Sequence, residues 1–283
     1  MIYILMNPKA NNGMGEQDAC NWAKVLNKEA TFVDVLKTNT RQLVANLKEN
    51  DEVIVSGGDG TLNHFANDVA DLPLYNPIFY VKSGSGNDFF RDRQDDVDEL
   101  GRIKLNRHLE RLPIVHVNGI SQRFINGIGY GLDGETCKIG EEMRKATDKP
   151  INYSNIAIKL LLGDFKLRHA TVTVDGVTKE YDNVWLVPTM KGRYYGGGLM
   201  IAPNQDRFDS EGKVSVVVLS KKSRLGTFLN FPSLSKGKHA GKKWVDIRVG
   251  KKVEVKFDTP CALQIDGEVV DNVTCYTVEV PQK

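Results

Sequence analysis

The sequence lacks the pairings that would make its sulfur and imidazole groups a framework. Its four cysteines, Cys20, Cys137, Cys261 and Cys275, form no CxxC pair, and its five histidines do not fall at metal-ligand spacing. Neither a zinc site nor a disulfide scaffold is expected, and unpaired cysteines suit a reducing cytoplasm. Proline is scarce, at 10 of 283 residues, while 41% of the chain is hydrophobic and 26% charged, which excludes a collagen-like or wholly disordered polymer. No apolar run approaches the ~20 residues that a bilayer span requires. Met1-Ile2-Tyr3-Ile4-Leu5-Met6 has neither the basic flank nor the small-residue cleavage site of an export leader, so a cytoplasmic location is expected. A Walker A loop, a serine nucleophile elbow and a nucleic-acid reader motif are missing as well; no nucleic-acid partner is expected.

A large excess of either charge is also absent, since the formal net charge is +2. That balance hides an asymmetry. Residues 1–120 hold 13 Lys+Arg against 17 Asp+Glu, and the remainder holds 25 against 19.

What is present divides the chain in two. Ile2–Met6, Thr31–Leu36, Asp51–Ser56 and Pro77–Val81 read as strands. They alternate with helical patterns over Glu16–Lys28, from Asn39 or Thr40 to Leu47, and over Leu62–Asp71. This rhythm predicts a Rossmann-like α/β domain with a parallel sheet over residues 1–118. Residues 119–283 carry strand-like segments at Ala170–Val174, Val184–Pro188, Val214–Leu219, Val245–Val249, Lys252–Phe257, Ala262–Ile265 and Thr274–Val280. A helical hairpin is expected at Glu135–Lys145 and Tyr153–Leu162, with Pro150 between. The fold class expected is therefore α/β plus all-β, the second domain an antiparallel β-sandwich-like one.

Chemistry concentrates in three polar, glycine-bearing loops that follow strands. The run Ser56-Gly57-Gly58-Asp59-Gly60-Thr61-Leu62-Asn63 passes from a buried strand into a helix, so that backbone N–H groups approach phosphate oxygens closely. Asn7-Pro8-Lys9-Ala10-Asn11-Asn12-Gly13 follows the first strand, and Lys82-Ser83-Gly84-Ser85-Gly86-Asn87-Asp88-Phe89 the fourth. An open α/β sheet binds its ligand at such strand ends. By itself a GGxG segment is as often a plain turn. The G-x-G-x-x-G spacing of Gly129–Gly134 is not followed, ~20 residues on, by the acid that completes a dinucleotide fingerprint. His64 and His116 read as structural.

In chain order, the Gly57–Asn63 run, the Gly84–Phe89 loop, the Tyr195-Gly196-Gly197-Gly198-Leu199-Met200-Ile201-Ala202-Pro203 stretch and Asp266-Gly267-Glu268 resemble the successive motifs of the diacylglycerol kinase catalytic-domain family. That family includes soluble bacterial lipid kinases and sphingosine kinases. GGDGT alone is shared with NAD kinases and phosphofructokinases. The resemblance implies an active site in the interdomain cleft and ATP- and Mg2+-dependent transfer of a γ-phosphoryl group to a lipid hydroxyl, diacylglycerol or a sphingosine-like alcohol among the acceptors. By position, Asn7, Lys9, Thr38, Gly57, Gly58, Asp59, Gly60, Thr61, Asn63 and Ser85 would contact ATP. Asn87 and Asp88 would lie beside them with Asp88 organising Mg2+, and Asp266 and Glu268 would supply the general base. Two departures bear on this expectation. The family's structural Mg2+ turn has Asp where this chain has Glu211, with Phe208 and Lys213 as carbonyl donors, and the family's acid on the strand leaving the first domain falls at Pro113. An impaired kinase fold acting as a nucleotide- or lipid-binding regulator, or an NAD-kinase-like activity, are the alternatives these features leave open.

Between Lys221 and Lys252 stand ten cations, Lys221, Lys222, Arg224, Lys236, Lys238, Lys242, Lys243, Arg248, Lys251 and Lys252, against one acid, Asp246. Leu225, Phe228, Leu229, Phe231, Leu234 and Trp244 are interleaved with them. The expected partner is an anionic membrane surface, the inner face of a cell membrane, touched peripherally. The sequence carries no signal for oligomeric state.

Overall fold

The structure, a computed structural model, describes all residues except 85, 148–150, 164, 221–222 and 283, and at Asn12 the main chain only. The chain forms two compact units, Met1–Glu110 and Arg111–Lys283. The expected boundary at 118 lies further along. Residues Ile114–Val117 pair with Ile120–Arg123 and with Thr277–Glu279, which ties that strand to the second sheet.

In the first unit, β1 (Ile2–Met6), β2 (Thr31–Asp34), β3 (Glu52–Gly57), β4 (Ile78–Lys82) and β5 (Ile103–Lys104) make a sheet of order β2-β1-β3-β4-β5. The first four strands are parallel, and β5 joins antiparallel. The helices are α1 (Ala10–Gly13), α2 (Gly15–Leu26), α3 (Thr40–Ala45), α4 (Asp59–Asp68) and α5 (Asp88–Asp92). Ala19, Trp22, Ala23 and Leu26, at helical spacing on α2, pack with Ile4, Ile54 and Val81 of the sheet. The unit is therefore the parallel α/β domain that the alternating pattern implies. One element starts earlier than expected. Helix α4 begins at Asp59 rather than Leu62, so the glycine motif is itself the first turn of the helix.

The second unit holds β6 (Ile114–Val117), β7 (Ile120–Arg123), β8 (Gly127–Tyr130), β9 (Arg168–Val174), β10 (Val177–Leu186), β11 (Thr189–Met190), β12 (Val214–Ser220), β13 (Val245–Gly250), β14 (Lys252–Ile265) and β15 (Glu268–Glu279). Among the described residues these form one ten-stranded sheet, with antiparallel pairing throughout. The segments Lys252–Phe257 and Ala262–Ile265, expected as separate strands, are one strand whose register with β15 shifts between Lys256 and Cys261. The first half of β14 pairs with β9 and the second half with β8, so the sheet folds back on itself and encloses a core. In that core Tyr130 stacks on Phe257, centroids 3.9 Å apart, and meets Tyr276 edge-on at 5.5 Å.

Helices α6 (Leu132–Ala146), α7 (Tyr153–Leu162), α8 (Arg224–Asn230) and α9 (Pro232–Ser235) belong to this unit; Pro150 lies outside the described residues. Among the apolar residues read as membrane-facing, Leu234 is buried, and Phe228, Phe231 and Trp244 pack against a core cluster that includes Trp185 and Leu219. Leu225 and Leu229 are exposed. Their separation of four residues puts them on one face of α8. Two of the ten cations serve the fold: Arg224 donates to the carbonyls of Leu161 and Phe165, and Arg248 to those of Val172 and Val177. Lys221 and Lys222 lie outside the described residues, whereas Lys236, Lys238, Lys242 and Lys243 are exposed. No helix among the described residues is long and apolar enough to cross a membrane.

Candidate functional site

The three loops of the first unit converge because two carboxylates and one phenol tie them together. Asp59, in the first turn of α4, accepts from the backbone N–H groups of Asp88 at 2.7 Å and Phe89 at 2.9 Å. It thereby caps α5 and fastens the Gly57–Thr61 loop to the Gly86–Phe89 loop. The buried Tyr80 hydroxyl lies 2.9 Å from the Gly57 carbonyl and 3.0 Å from Asn87 Oδ1, so its one proton is shared between the same two loops. Burial pushes the Tyr80 phenol pKa well up, and the charges of Asp59 and Asp88 push it further, which keeps it a neutral donor. Asp18, on α2, accepts from Asn11 Nδ2 at 3.0 Å and from Ser83 Oγ, joining the loop after β1 to the loop after β4.

Glycine is required at one position here by close approach. A Cβ on Gly57 would stand 2.5 Å from the Thr61 side chain, which folds over it. At Gly58 and Gly60 a Cβ would have room; their bare backbone instead keeps the approach to the first turn of α4 open. Gly58 caps that helix without a side-chain acceptor, so no cap side chain covers the N–H groups of the first turn. Asn87 is left-handed, with φ 48°, and its Nδ2 donates to the Gly84 carbonyl.

The remaining residues proposed for ATP divide by position. Asn7 accepts through Oδ1 from the Lys9 N–H, shaping the first loop, and Lys9 is exposed. Asp88 is 4% exposed with Arg91 3.7 Å away. Asn63 is 2% exposed inside α4 and accepts from Asn67 Nδ2, so it faces the interior. Thr38 lines a hollow of about 370 Å³ with Tyr3, Asn39 and residues of α3. Ser85 lies outside the described residues.

In the second unit Asp266 is left-handed, with φ 47°. Its Oδ2 accepts from the Ile125 N–H at 2.6 Å, and its Oδ1 accepts from Asn126 and Gly127, each at 2.9 Å. Arg207 grips the same segment from its other side, donating to the Ile125 carbonyl and, at 2.6 Å, to Asn126 Oδ1. The carboxylate singled out as a base is therefore fixed in one orientation, with Oδ1 already serving two donors. Glu268 follows across the turn as the first residue of β15, opposite Ile265.

The proposed metal turn is organised without a cluster of ligands. Glu211 pairs with Lys213 Nζ, the Lys213 carbonyl accepts from Gln205 Nε2 at 2.9 Å, and the Phe208 N–H donates to Asp206 Oδ1 at 2.8 Å. Among the described residues no group of three or more His, Cys, Asp or Glu is placed to hold a metal ion. A nucleotide-borne Mg2+ does not need one, since it is commonly held by one or two carboxylates and phosphate oxygens; Asp88, beside Asp59 at the loop junction, fits that demand.

Two titratable groups escaped the sequence reading. Burial raises the Asp133 carboxyl to about 6, offset in part by the nearby Tyr195 hydroxyl and by the hydrogen bond from the Gly134 N–H. Burial and the charges of Arg207 and Arg111 lower the Lys191 ammonium to about 8. Nothing in the local sequence marks either, because their surroundings come from distant strands. The GxGxxG spacing around Asp133 is the only trace, and it serves packing: a Cβ on Gly134 would meet the Ala262 carbonyl oxygen at 2.0 Å.

Comparison with known proteins bears on the family and the fold. Residues 1–117 match the family model described as the diacylglycerol kinase catalytic domain, and residues 126–283 match that of the YegS C-terminal NAD kinase beta sandwich-like domain. A diacylglycerol kinase of Mycobacterium tuberculosis is 26% identical over 267 residues, spanning 90% of this chain and 84% of that one. A crystal structure of a diacylglycerol kinase from Bacillus anthracis str. Sterne superposes with a TM-score of 0.64 at 19% identity, covering 99% of this chain and 93% of the other. Yeast NADH kinase, crystallised with NADH, gives 0.53 at 9% identity over 100% of this chain and 80% of its own. At such identities the two structural likenesses speak to fold.

Proposed function

The chain belongs to the diacylglycerol kinase catalytic-domain family, and from that premise we propose that it is an ATP- and Mg2+-dependent lipid kinase. The observation that carries the reading is the joining of three strand-end loops of a parallel sheet by Asp59, Tyr80 and Asp18. That arrangement offers phosphate groups backbone donors at the first turn of α4.

In the proposed reaction the acceptor's O–H proton passes to a carboxylate as its oxygen bonds to the γ-phosphorus. The bond from that phosphorus to the bridging oxygen breaks, and ADP leaves. Asp266 and Glu268 are assigned to the proton. Because Asp266 Oδ1 already accepts two backbone hydrogen bonds, its Oδ2 and the Glu268 carboxylate are the acceptors suited to the transfer. Asp88 is the carboxylate that would hold a nucleotide-borne Mg2+, which would supply charge neutralisation to the phosphoryl group in transfer. The Gly57–Thr61 backbone orients the triphosphate, and Asn7 and Lys9 shape and charge its flank. Diacylglycerol and sphingosine-like alcohols are the acceptor classes proposed. A lipid acceptor requires contact with a bilayer; exposed Lys236, Lys238, Lys242 and Lys243 with Leu225 and Leu229 suit reversible attachment to an anionic one.

The test is incubation of the purified protein with labelled Mg-ATP and mixed micelles of diacylglycerol, monoacylglycerol, sphingosine and other lipid alcohols. Labelled lipid is expected from at least one of them; none, from folded protein that binds ATP, ends the proposal. The Gly57-Gly58-Asp59-Gly60-Thr61 run, shared with NAD kinases, supports a second reading, for which phosphorylation of NAD and not of lipid would be the mark. Equal background turnover in wild type and D266N would instead indicate a binding module, a reading that Pro113 keeps in view.

A further inference from the structure

Every carboxylate of the turn over residues 206–213 is already committed within the turn. Asp206 Oδ1 accepts from the Phe208 N–H at 2.8 Å. Asp209 Oδ1 accepts from the N–H groups of Glu211 and Lys213, each at 3.0 Å. The Glu211 carboxylate pairs with Lys213 Nζ. Three of the turn's main-chain acceptors, the carbonyls of Ser210, Glu211 and Lys213, are occupied as well. Arg111 reaches across a hundred residues of sequence to donate from Nη1 to the Ser210 carbonyl at 2.9 Å and from Nη2 to the Glu211 carbonyl at 2.8 Å. Its Nε points to the Pro281 carbonyl at 3.4 Å, and the Lys213 carbonyl takes Gln205 Nε2.

A guanidinium does here what a divalent cation does in an oxygen-lined turn: it draws several carbonyls together around one positive charge. Geometry keeps it close. Gly212 is left-handed, with φ 75°, and a Cβ there would stand 3.3 Å from Arg111 Nη2 and 2.8 Å from Val280 Cγ1. The charges nearby also oppose a further cation. Lys191, 4% exposed, lies within electrostatic reach of Arg111, Arg207, Asp206 and Asp209, while Lys213 is paired with Glu211 and Lys251 also acts on that carboxylate, so cations already surround the acids of the turn.

We infer that this turn takes no divalent metal and that Arg111 is its built-in cation, cross-linking the turn to the start and the end of the second unit. Glu211, Phe208 and Lys213, the expected ligands, do not fit a metal site. The inference concerns this turn alone and stands apart from which reaction the protein catalyses.

Two measurements on the full-length, nucleotide-free protein decide it. In Mn2+ titrations read by electron paramagnetic resonance, wild type and E211Q are expected to give coincident isotherms, any ion bound elsewhere cancelling in the comparison. Loss of one bound Mn2+ in E211Q overturns the inference. In thermal unfolding, R111A is expected to lower Tm by about 3 °C, a shift typical of losing a half-buried charge-assisted fork in a chain of this size, with EDTA and Mg2+ altering the loss by nothing. A wild-type Tm in R111A, or a loss restored by Mg2+, overturns it. Should R111A fail to fold, R111K decides: retaining charge without the planar fork, it is expected to lower Tm by a smaller step, and an unchanged Tm counts against the role.

Discussion

The two units answer the same problem with the same device and opposite surroundings. In each, an aspartate that a motif marks for chemistry spends its oxygens on the backbone of a distant loop. Asp59 holds two N–H groups at the head of a short helix, and Asp266 holds three at the edge of a folded sheet. Around Asp59 the neighbours are glycines, a neutral phenol and another carboxylate. In the second unit Arg207 grips the loop that Asp266 holds, and Lys191 and Arg111 lie near Arg207. The first unit therefore ties its loops with carboxylates and a neutral phenol, and the second carries fixed cations that do structural work. The difference teaches that a conspicuous acid need not be a free acid: what it can do depends on how many of its lone pairs the fold has already taken.

Breaking the two clamps separately tests that comparison most strongly at Asp266. If the proposed chemistry holds, D266N and E268Q should each lower turnover by about 10²- to 10⁴-fold, the range general-base catalysis spans. D266N should also lower Tm, because an amide cannot accept all three backbone bonds. An unchanged Tm in D266N would remove the structural half of the role assigned to Asp266. At the other clamp, D59A should weaken ATP binding by roughly 100-fold in calorimetry, the cost of losing two charge-assisted hydrogen bonds that set the loop; unchanged affinity would displace the nucleotide from this junction.

A pH experiment reaches the cationic side. Lys191 titrates at about 8 in the fold against 10.5 when unfolded, so the native state binds fewer protons. Stability should rise as pH increases from 8 to 10.5 and fall as pH drops through 8, by a few kcal/mol at most. K191M should flatten that slope and be more stable than wild type at pH 7, as measured by urea unfolding. Asp133 has the opposite sign. Raised to about 6 from 3.8, it should add stability as pH falls from 6 to 4, a trend D133N would abolish. The smallest effect expected is at the surface. K242E with K243E should weaken binding to phosphatidylserine vesicles by about 30-fold or more at low salt, each cation near such a surface contributing ~1 kcal/mol. Binding that ignores both charge and salt would remove the membrane from the proposal.

Much of the fold was legible because it follows from local periodicity. The apolar face of α2 and the strands of the first unit come from spacing alone, and the glycine loops are visible as strings. Less was legible in the second unit. Phe228, Phe231, Leu234 and Trp244 read as membrane-facing but pack inward, since a basic segment with interleaved apolar residues looks the same whether those residues meet lipid or a core. The turn over residues 206–213 was partly hidden for a related reason: its acids and carbonyls are adjacent in sequence, while Arg111, which engages two of those carbonyls, is a hundred residues away.

The sequence by itself determined the alternation of strands and helices, the order of the motifs, and with them family membership. These are properties of neighbouring residues and of chain order. Only the tertiary structure decided which carboxylates are bound to backbone, which cations hold carbonyls, and where burial moves Asp133 and Lys191 away from their ordinary titration. Those depend on partners brought together from far apart in the chain, and on the loss of water that their meeting imposes.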